Sequence, residues 1–274
     1  MRLDRALVAR GLARSRTHAQ SLIGAGAVTV NDVPASKPAT DVGDDTLITV
    51  TSDDHYVSRA AHKLIGALDE CAPLGLKVAG RRALDAGAST GGFTQVLLER
   101  GAAHVTAFDV GHGQLSPVVA ADPRVTAIEG LNVRDLTPDA VHAPVDLIVA
   151  DLSFISLTLA VGPLTAVAPG GADYVLMVKP QFEVGRERLG KGGVVTDASQ
   201  RARAVAAVAH ALSQAGAAIH HIARSALPGP SGNVEFFVWG STPWQARAVS
   251  RDQRPALGEV EVHGAIERET GGRL

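Results

Sequence analysis

The sequence predicts an α/β protein in which a seven-stranded, doubly wound sheet follows a small α+β module. Three observations predict it. From residue 58 onward, apolar runs of strand length alternate with helix-length segments, the signature of a parallel sheet covered on both faces. One run, Ala83-Leu84, leads into Asp85-Ala86-Gly87-Ala88-Ser89-Thr90-Gly91-Gly92-Phe93, a strand-to-helix turn whose glycines let backbone come close to a bound nucleoside. Before residue 51 the pattern is different, with two short helical segments followed by short alternating strands.

Apolar positions at Leu3, Ala6, Leu7 and Val8 with a stop at Gly11 predict a helix over 3–11. Ser15 caps a second helix running through Ala19, Leu22 and Ile23 to Gly24 and Gly26. Val28-Thr29-Val30, a turn at Asn31-Asp32 and residues 46–50 read as strands. Residues 51–57 form a polar hinge, which places one domain at 1–57 and a second at 58–240. In the second, strands are predicted at 82–86, 104–109, 125–129, 145–150, 173–178, 217–223 and 234–239. Helices are predicted near 58–72, 91–101, 155–168 and 197–215, the last capped by Asp197. After Gly240 the chain turns polar and charged, and 241–274 is expected to be a disordered tail.

At 274 residues the chain is long enough for a sizeable core. A net charge of −2 excludes a global field for polyanions, so any nucleic-acid contact needs a local basic patch. Arg2, Arg5, Arg10, Arg14 and Arg16 against Asp4 make such a patch. The single cysteine, Cys71, excludes an internal disulfide and fits a reducing cytoplasm. No signal peptide is visible, and the uncharged stretch 152–172 is broken by Pro163, Pro169, Gly162, Gly170 and Gly171. A cytoplasmic protein without membrane contact is expected, and a monomer. The histidines show no ligand spacing with a second cysteine, so no metal is expected. Gly190-Lys191-Gly192-Gly193-Val194 lacks the strand and helix of a phosphate loop and reads as a mobile lid.

Open α/β sheets bind ligands beyond the carboxyl ends of their strands. Asp85, Asp109, Asp151 and Lys179 each stand where an apolar strand runs out. Glu235 joins them if the last strand is antiparallel, because its start then lies at the same edge. A dinucleotide site would want a second glycine where Ser89 stands, so the turn suits a ligand without phosphate, S-adenosylmethionine. Asp109 can accept hydrogen bonds from both ribose hydroxyls. Methyl transfer to a ribose hydroxyl needs an aligned acceptor and a base. A lysine serves as base when neutral, a state that a neighbouring cation promotes. Lys179 and Lys63 are the candidates, with Asp151 and Glu235 to orient them. The ordinary readings are a solvated helix lysine for Lys63 and a helix N-cap for Asp151.

Four motifs in order carry a resemblance: the glycine turn from Leu84 to Phe93, Asp151-Leu152-Ser153-Phe154-Ile155-Ser156, Lys179-Pro180-Gln181-Phe182-Glu183-Val184-Gly185, and Pro228-Gly229-Pro230-Ser231-Gly232-Asn233-Val234-Glu235. Together they resemble the TlyA proteins, ribosomal RNA 2′-O-methyltransferases with an FtsJ-like, Rossmann-like catalytic domain. The N-terminal module resembles an S4 RNA-binding domain through Leu3-Asp4, Gly11, Ser15-Arg16, Ala19, Ile23, Gly26 and Val28-Thr29-Val30-Asn31. The resemblance implies a catalytic tetrad of Lys63, Asp151, Lys179 and Glu235, and methylation of cytidine in large-subunit and, for one subtype, small-subunit rRNA. It implies a cofactor set of Asp85, Gly87, Ser89, Thr90, Gly91, Gly92, Asp109 and Asn132. Phosphate contacts are implied for Arg2, Arg14, Arg16, Lys37 and Arg59, with Arg59 in an interdomain hinge. The rival readings are a membrane-active haemolysin and a non-catalytic ribosome assembly factor.

Overall fold

The computed structural model describes residues 1–13, 15–24, 26–50, 55–141, 144–169, 171–243 and 256–274. The chain divides into two units, Met1–His55 and Tyr56–Leu274. The second unit includes the C-terminal residues, which the sequence reading had set apart.

In the first unit, helices α1 (Leu3–Ala9) and α2 (Arg16–Gly24) precede strands β1 (Val28–Val30), β2 (Val33–Pro34) and β3 (Ile48–Val50). The strands form an antiparallel sheet in the order β2-β1-β3. Leu3, Ala6 and Leu7 of α1 pack with Leu22 and Ile23 of α2 and with Val28 and Ile48 of the sheet, the apolar spacing read from the sequence. Ser15 Oγ accepts from His18 N at 3.2 Å, the expected cap.

The second unit runs α3 (Ala60–Cys71), β4 (Arg82–Ala86), α4 (Gly92–Glu99), β5 (His104–Asp109), α5 (Pro117–Ala120), β6 (Val125–Glu129), β7 (Leu147–Ala150), α6 (Leu157–Ala166), β8 (Asp173–Val178), α7 (Pro180–Glu183), α8 (Ala198–Gln214), β9 (Ala218–Arg224), β10 (Phe236–Ser241) and α9 (Glu259–Thr270). Its seven strands are ordered β6-β5-β4-β7-β8-β10-β9. β10 is antiparallel to both neighbours, while the pairings from β6 to β8 are parallel. The chain moves outward from β4 through β5 to β6 and then returns to β7 on the other side of β4. That reversal opens a crevice at the carboxyl ends of β4 and β7. Apolar residues cover both faces of the sheet in two clusters, which is why its central strands read as continuous hydrophobic runs.

One expectation and one ordinary reading need correction. The segment 241–274 is not a disordered tail among the described residues: α9 buries Ala265, Ile266 and Thr270, and Leu257 N donates to Ile219 O of β9 at 2.8 Å. The sequence signal was weak because the apolar stripe of α9, Val262, Ala265 and Ile266, is narrow and lies among glutamates. Asp151 does not cap the next helix either. Ser156 does, accepting from Thr158 N. The stretch 152–172 contributes α6, a ten-residue helix with Pro163 inside it, and no helix among the described residues is long and apolar enough to cross a membrane.

Candidate active site

The turn after β4 is shaped by its neighbours. Gly87 has φ +82°, and a Cβ there would lie 2.8 Å from the Asp151 carbonyl oxygen, so only glycine lets the ends of β4 and β7 come together. A Cβ on Gly92 would meet Ser58 Cβ at 2.8 Å. Gly92 is therefore required by the packing of α4 against the start of α3, which is a different reason from the ligand approach read in the sequence. Gly91, with φ +94°, is the N-cap of α4. Ser89, also at positive φ, donates its amide to Asp109 Oδ2 at 2.9 Å, and Gly111 N donates to Asp109 Oδ1 at 2.9 Å. Asp109 is thus fixed in direction by two amides and keeps acceptor capacity.

A cleft of about 500 Å³ lies against this turn, lined by Gly87, Ser89, Asp109, Asn132, Asp151 and Phe154. That is an ordinary size for a cofactor pocket. Asn132 is held by accepting from Arg134 N. Asp85, wholly buried beneath the turn, accepts from Thr94 Oγ1 at 2.6 Å through Oδ2, while its Oδ1 has no partner. Burial pushes the Asp85 carboxyl up to about 7, with the Thr94 hydrogen bond opposing the shift and the charges of Asp151 and Asp109 adding to it.

The four residues expected to do chemistry form two acid–base pairs. Lys63 Nζ lies 2.5 Å from Glu235 Oε2, and both side chains are buried. Lys63 is therefore not the solvated helix lysine of the ordinary reading. Lys179 Nζ lies 2.6 Å from Asp151 Oδ1 as an ion pair and donates to Ser153 Oγ at 2.8 Å. Each lysine pairs with one of the two acids expected to orient them. The antiparallel register Phe236↔Val178 sets Glu235 and Lys179 opposite each other one step beyond the last paired residues.

A second cleft, about 560 Å³, is lined by Lys179, Glu235, Ser153, Phe154, Phe182 and Asn233. It shares Ser153, Phe154 and Ile155 with the first, so the two are neighbours along one motif. Phe154 is 92% exposed, has φ +65° and packs on Phe182 at 5.2 Å between ring centroids. Glu183 accepts from Ser156 Oγ at 2.5 Å and Leu157 N at 2.8 Å, tying α7 to the start of α6; burial pushes its carboxyl up. The loop read as a lid is fastened on one side, where Asn233 accepts from Val195 N and donates to Gly193 O. Ser153, Phe154, Glu183 and Asn233 lie within the motifs that carry the resemblance but are not among the site residues expected from the sequence. Their signal was present only as position next to a charged strand end.

Of the expected RNA contacts, Arg14 lies outside the described residues. Arg2 and Arg16 both donate to Asp4. Lys37 is exposed, and Arg59 donates to Pro228 O at 2.9 Å.

The family model of FtsJ-like methyltransferases matches residues 56–242, and that of the S4 domain matches residues 1–48. The chain is also 56% identical to the 16S/23S rRNA (cytidine-2′-O)-methyltransferase TlyA of Mycobacterium tuberculosis, over 97% of each chain. The chain belongs to the TlyA group of FtsJ-like methyltransferases. The methyltransferase unit thus occupies the seven-stranded sheet, and the S4 domain the N-terminal unit. Hemolysin A of Brachyspira hyodysenteriae is 37% identical over 86% of this chain and 98% of its own. A solved hemolysin candidate from Streptococcus thermophilus is 31% identical with a TM-score of 0.72, covering 98% of this chain and 94% of that one.

Proposed function

We propose that this chain moves a methyl group from S-adenosylmethionine to the 2′-hydroxyl of a cytidine in ribosomal RNA. The observation that carries the reading is the pair of lysine–carboxylate contacts, Lys63–Glu235 and Lys179–Asp151, with Asp151 on the cleft at the glycine turn and Lys179 and Glu235 on the neighbouring one. The name of the M. tuberculosis relative specifies 16S and 23S rRNA, and the same two substrates are proposed here.

The residues of the first cleft fit the cofactor. Asp109 and Asp151 line the cleft beside the turn, and their carboxylates are acceptors suited to the ribose hydroxyls and the cationic methionyl end of the cofactor. When bound, S-adenosylmethionine supplies an electrophilic methyl on a sulfonium. Asp109 holds the ribose hydroxyls, Gly87, Ser89 and Asn132 form the adjoining wall, and Thr90, Gly91 and Gly92 carry the turn into α4. Lys179 Nζ takes the proton of the 2′-hydroxyl as the oxygen gains the methyl. For this step Lys179 must enter as the neutral amine, its own proton having gone to solvent; Asp151 at 2.6 Å orients that amine and stabilises the ammonium formed when it takes the hydroxyl proton. Lys63 and Glu235 fix the ribose in line. Arg2, Arg14, Arg16, Lys37 and Arg59 hold phosphates, and the target nucleotide is turned out of its stack to reach the cleft.

The rival membrane-active reading depended on residues 152–172, which instead build the cleft wall and α6. Mapping reverse-transcription stops at low dNTP on rRNA from cells with and without the gene tests the proposal. A gene-dependent stop at one cytidine in each subunit is expected; identical profiles would refute it.

A further inference from the structure

The S4 unit contains a buried charge cluster that the methyltransferase chemistry does not use. Asp4, the second residue of α1, is wholly buried. Its Oδ1 accepts from Arg2 Nε at 3.1 Å. Its Oδ2 accepts from Arg2 NH2 at 3.1 Å, Arg16 NH2 at 3.1 Å and Gln20 Nε2 at 3.2 Å. Arg2 therefore meets the carboxylate as a two-pronged fork, and Arg16 and Gln20 reach it from successive turns of α2. These bonds hold the Asp4 carboxyl well below the usual carboxylate range, the Arg2 contact most of all.

The arginines are not neutralised by this arrangement. Two guanidinium groups share one carboxylate, which leaves the cluster with one positive charge. A guanidinium has five N–H donors; Arg2 uses two on Asp4 and Arg16 uses one. Their side chains are 44% and 52% exposed, so the remaining donors lie toward solvent, while the anion that orients them is hidden. An anchor of this kind lowers the rotamer freedom that each arginine loses when it grips a phosphate.

We propose that Asp4 is a positioning residue for RNA binding, its carboxylate holding Arg2 and Arg16 together as one preformed phosphate fork. The inference rests on the reading of the N-terminal unit as an RNA-binding part. Counting charges gives the opposite expectation, because removing an acid from a polyanion-binding surface strengthens binding. The sign of the effect therefore separates orientation from net charge.

The experiment uses the full chain and a fluorescein-labelled RNA hairpin, with anisotropy titrations across a salt series. Asp4→Asn is expected to weaken binding about fivefold and to make the dependence on log salt shallower by about one. Equal or tighter binding by this variant overturns the proposal. Arg2→Ala with Arg16→Ala is run alongside: if this double variant binds as tightly as the wild type, the RNA reading of this face fails, and the inference with it. If the double variant weakens binding and Asp4→Asn does not, only the positioning role fails. A measurement on the wild type alone removes dependence on how the variant folds. The Arg2 Nε–H should show restricted motion by NMR relaxation before RNA is added, and a freely rotating Arg2 in the free protein would sink the idea.

Discussion

Lys63 and Glu235 stand 172 residues apart in the chain and meet 2.5 Å apart with both side chains buried. The contact joins α3 to the residue before β10, so it exists only because the last strand runs antiparallel and begins at the same edge where the parallel strands end.

That burial separates a structural effect from a chemical one. Glu235→Gln leaves the Lys63 ammonium without a counter-charge, and a loss of about 3 kcal/mol in unfolding free energy is expected. The double replacement Lys63→Met with Glu235→Leu should recover most of that stability and none of the methyl transfer. Denaturant unfolding and a methyl-incorporation assay on the same preparations check both halves. Recovery of activity in the double variant would remove the pair from the mechanism.

Lys179 reaches Asp151 and Ser153 through its ammonium and lines the second cleft. Lys179→Ala is expected to lower methyl transfer by about 10²–10⁴-fold while cofactor affinity by calorimetry stays within a few-fold. Full activity would refute its assignment as base.

Asp85 makes stability depend on pH in a direction opposite to most carboxylates. Its folded pKa is raised from 3.8 to about 7, so between these values the folded chain holds a proton that the unfolded chain releases. The contribution is present below pH 4 and is lost as pH rises toward 7. Asp85→Asn should flatten the slope of unfolding free energy between pH 5 and 7, as read by urea titrations, and an unchanged slope would assign the pH dependence elsewhere.

Phe154 combines a left-handed backbone with near-complete exposure, so that beyond its contact with Phe182 little burial offsets the strain. Phe154→Gly should raise the melting temperature slightly, since relief of such a conformation is of the order of 1 kcal/mol. Single-turnover methyl transfer should fall in the same variant. A stable and fully active Phe154→Gly would leave the ring without a part in the reaction.

Ile266 anchors α9 in the main core. Ile266→Ala is expected to destabilise the unit by about 2–5 kcal/mol, a loss that thermal unfolding would register and that a disordered tail would not produce.

The glycine turn, the strands and the placement of Asp85, Asp109, Asp151 and Lys179 at strand ends could be read from the sequence, because each depends on neighbours within a few residues. Asp197 as a cap belongs to the same class, and Ser199 N does donate to it at 2.8 Å. The helix α9 was not legible, since Val262, Ala265 and Ile266 gain meaning only when β9 and α8 are present to receive them. Asp4 read as a lone acid among arginines, and its burial depends on how α1 packs on α2.

The amino-acid order by itself determined the α/β class, the two-part organisation and which residue types stand where strands end, through periodicities of two and 3.6 residues and the stereochemistry of glycine. Only the tertiary structure decided the partners: each lysine with a carboxylate, Asp4 with two arginines, Gly92 with the start of α3. Such contacts follow from strand order and register, which are set by how whole apolar faces pack and are not encoded within any one segment.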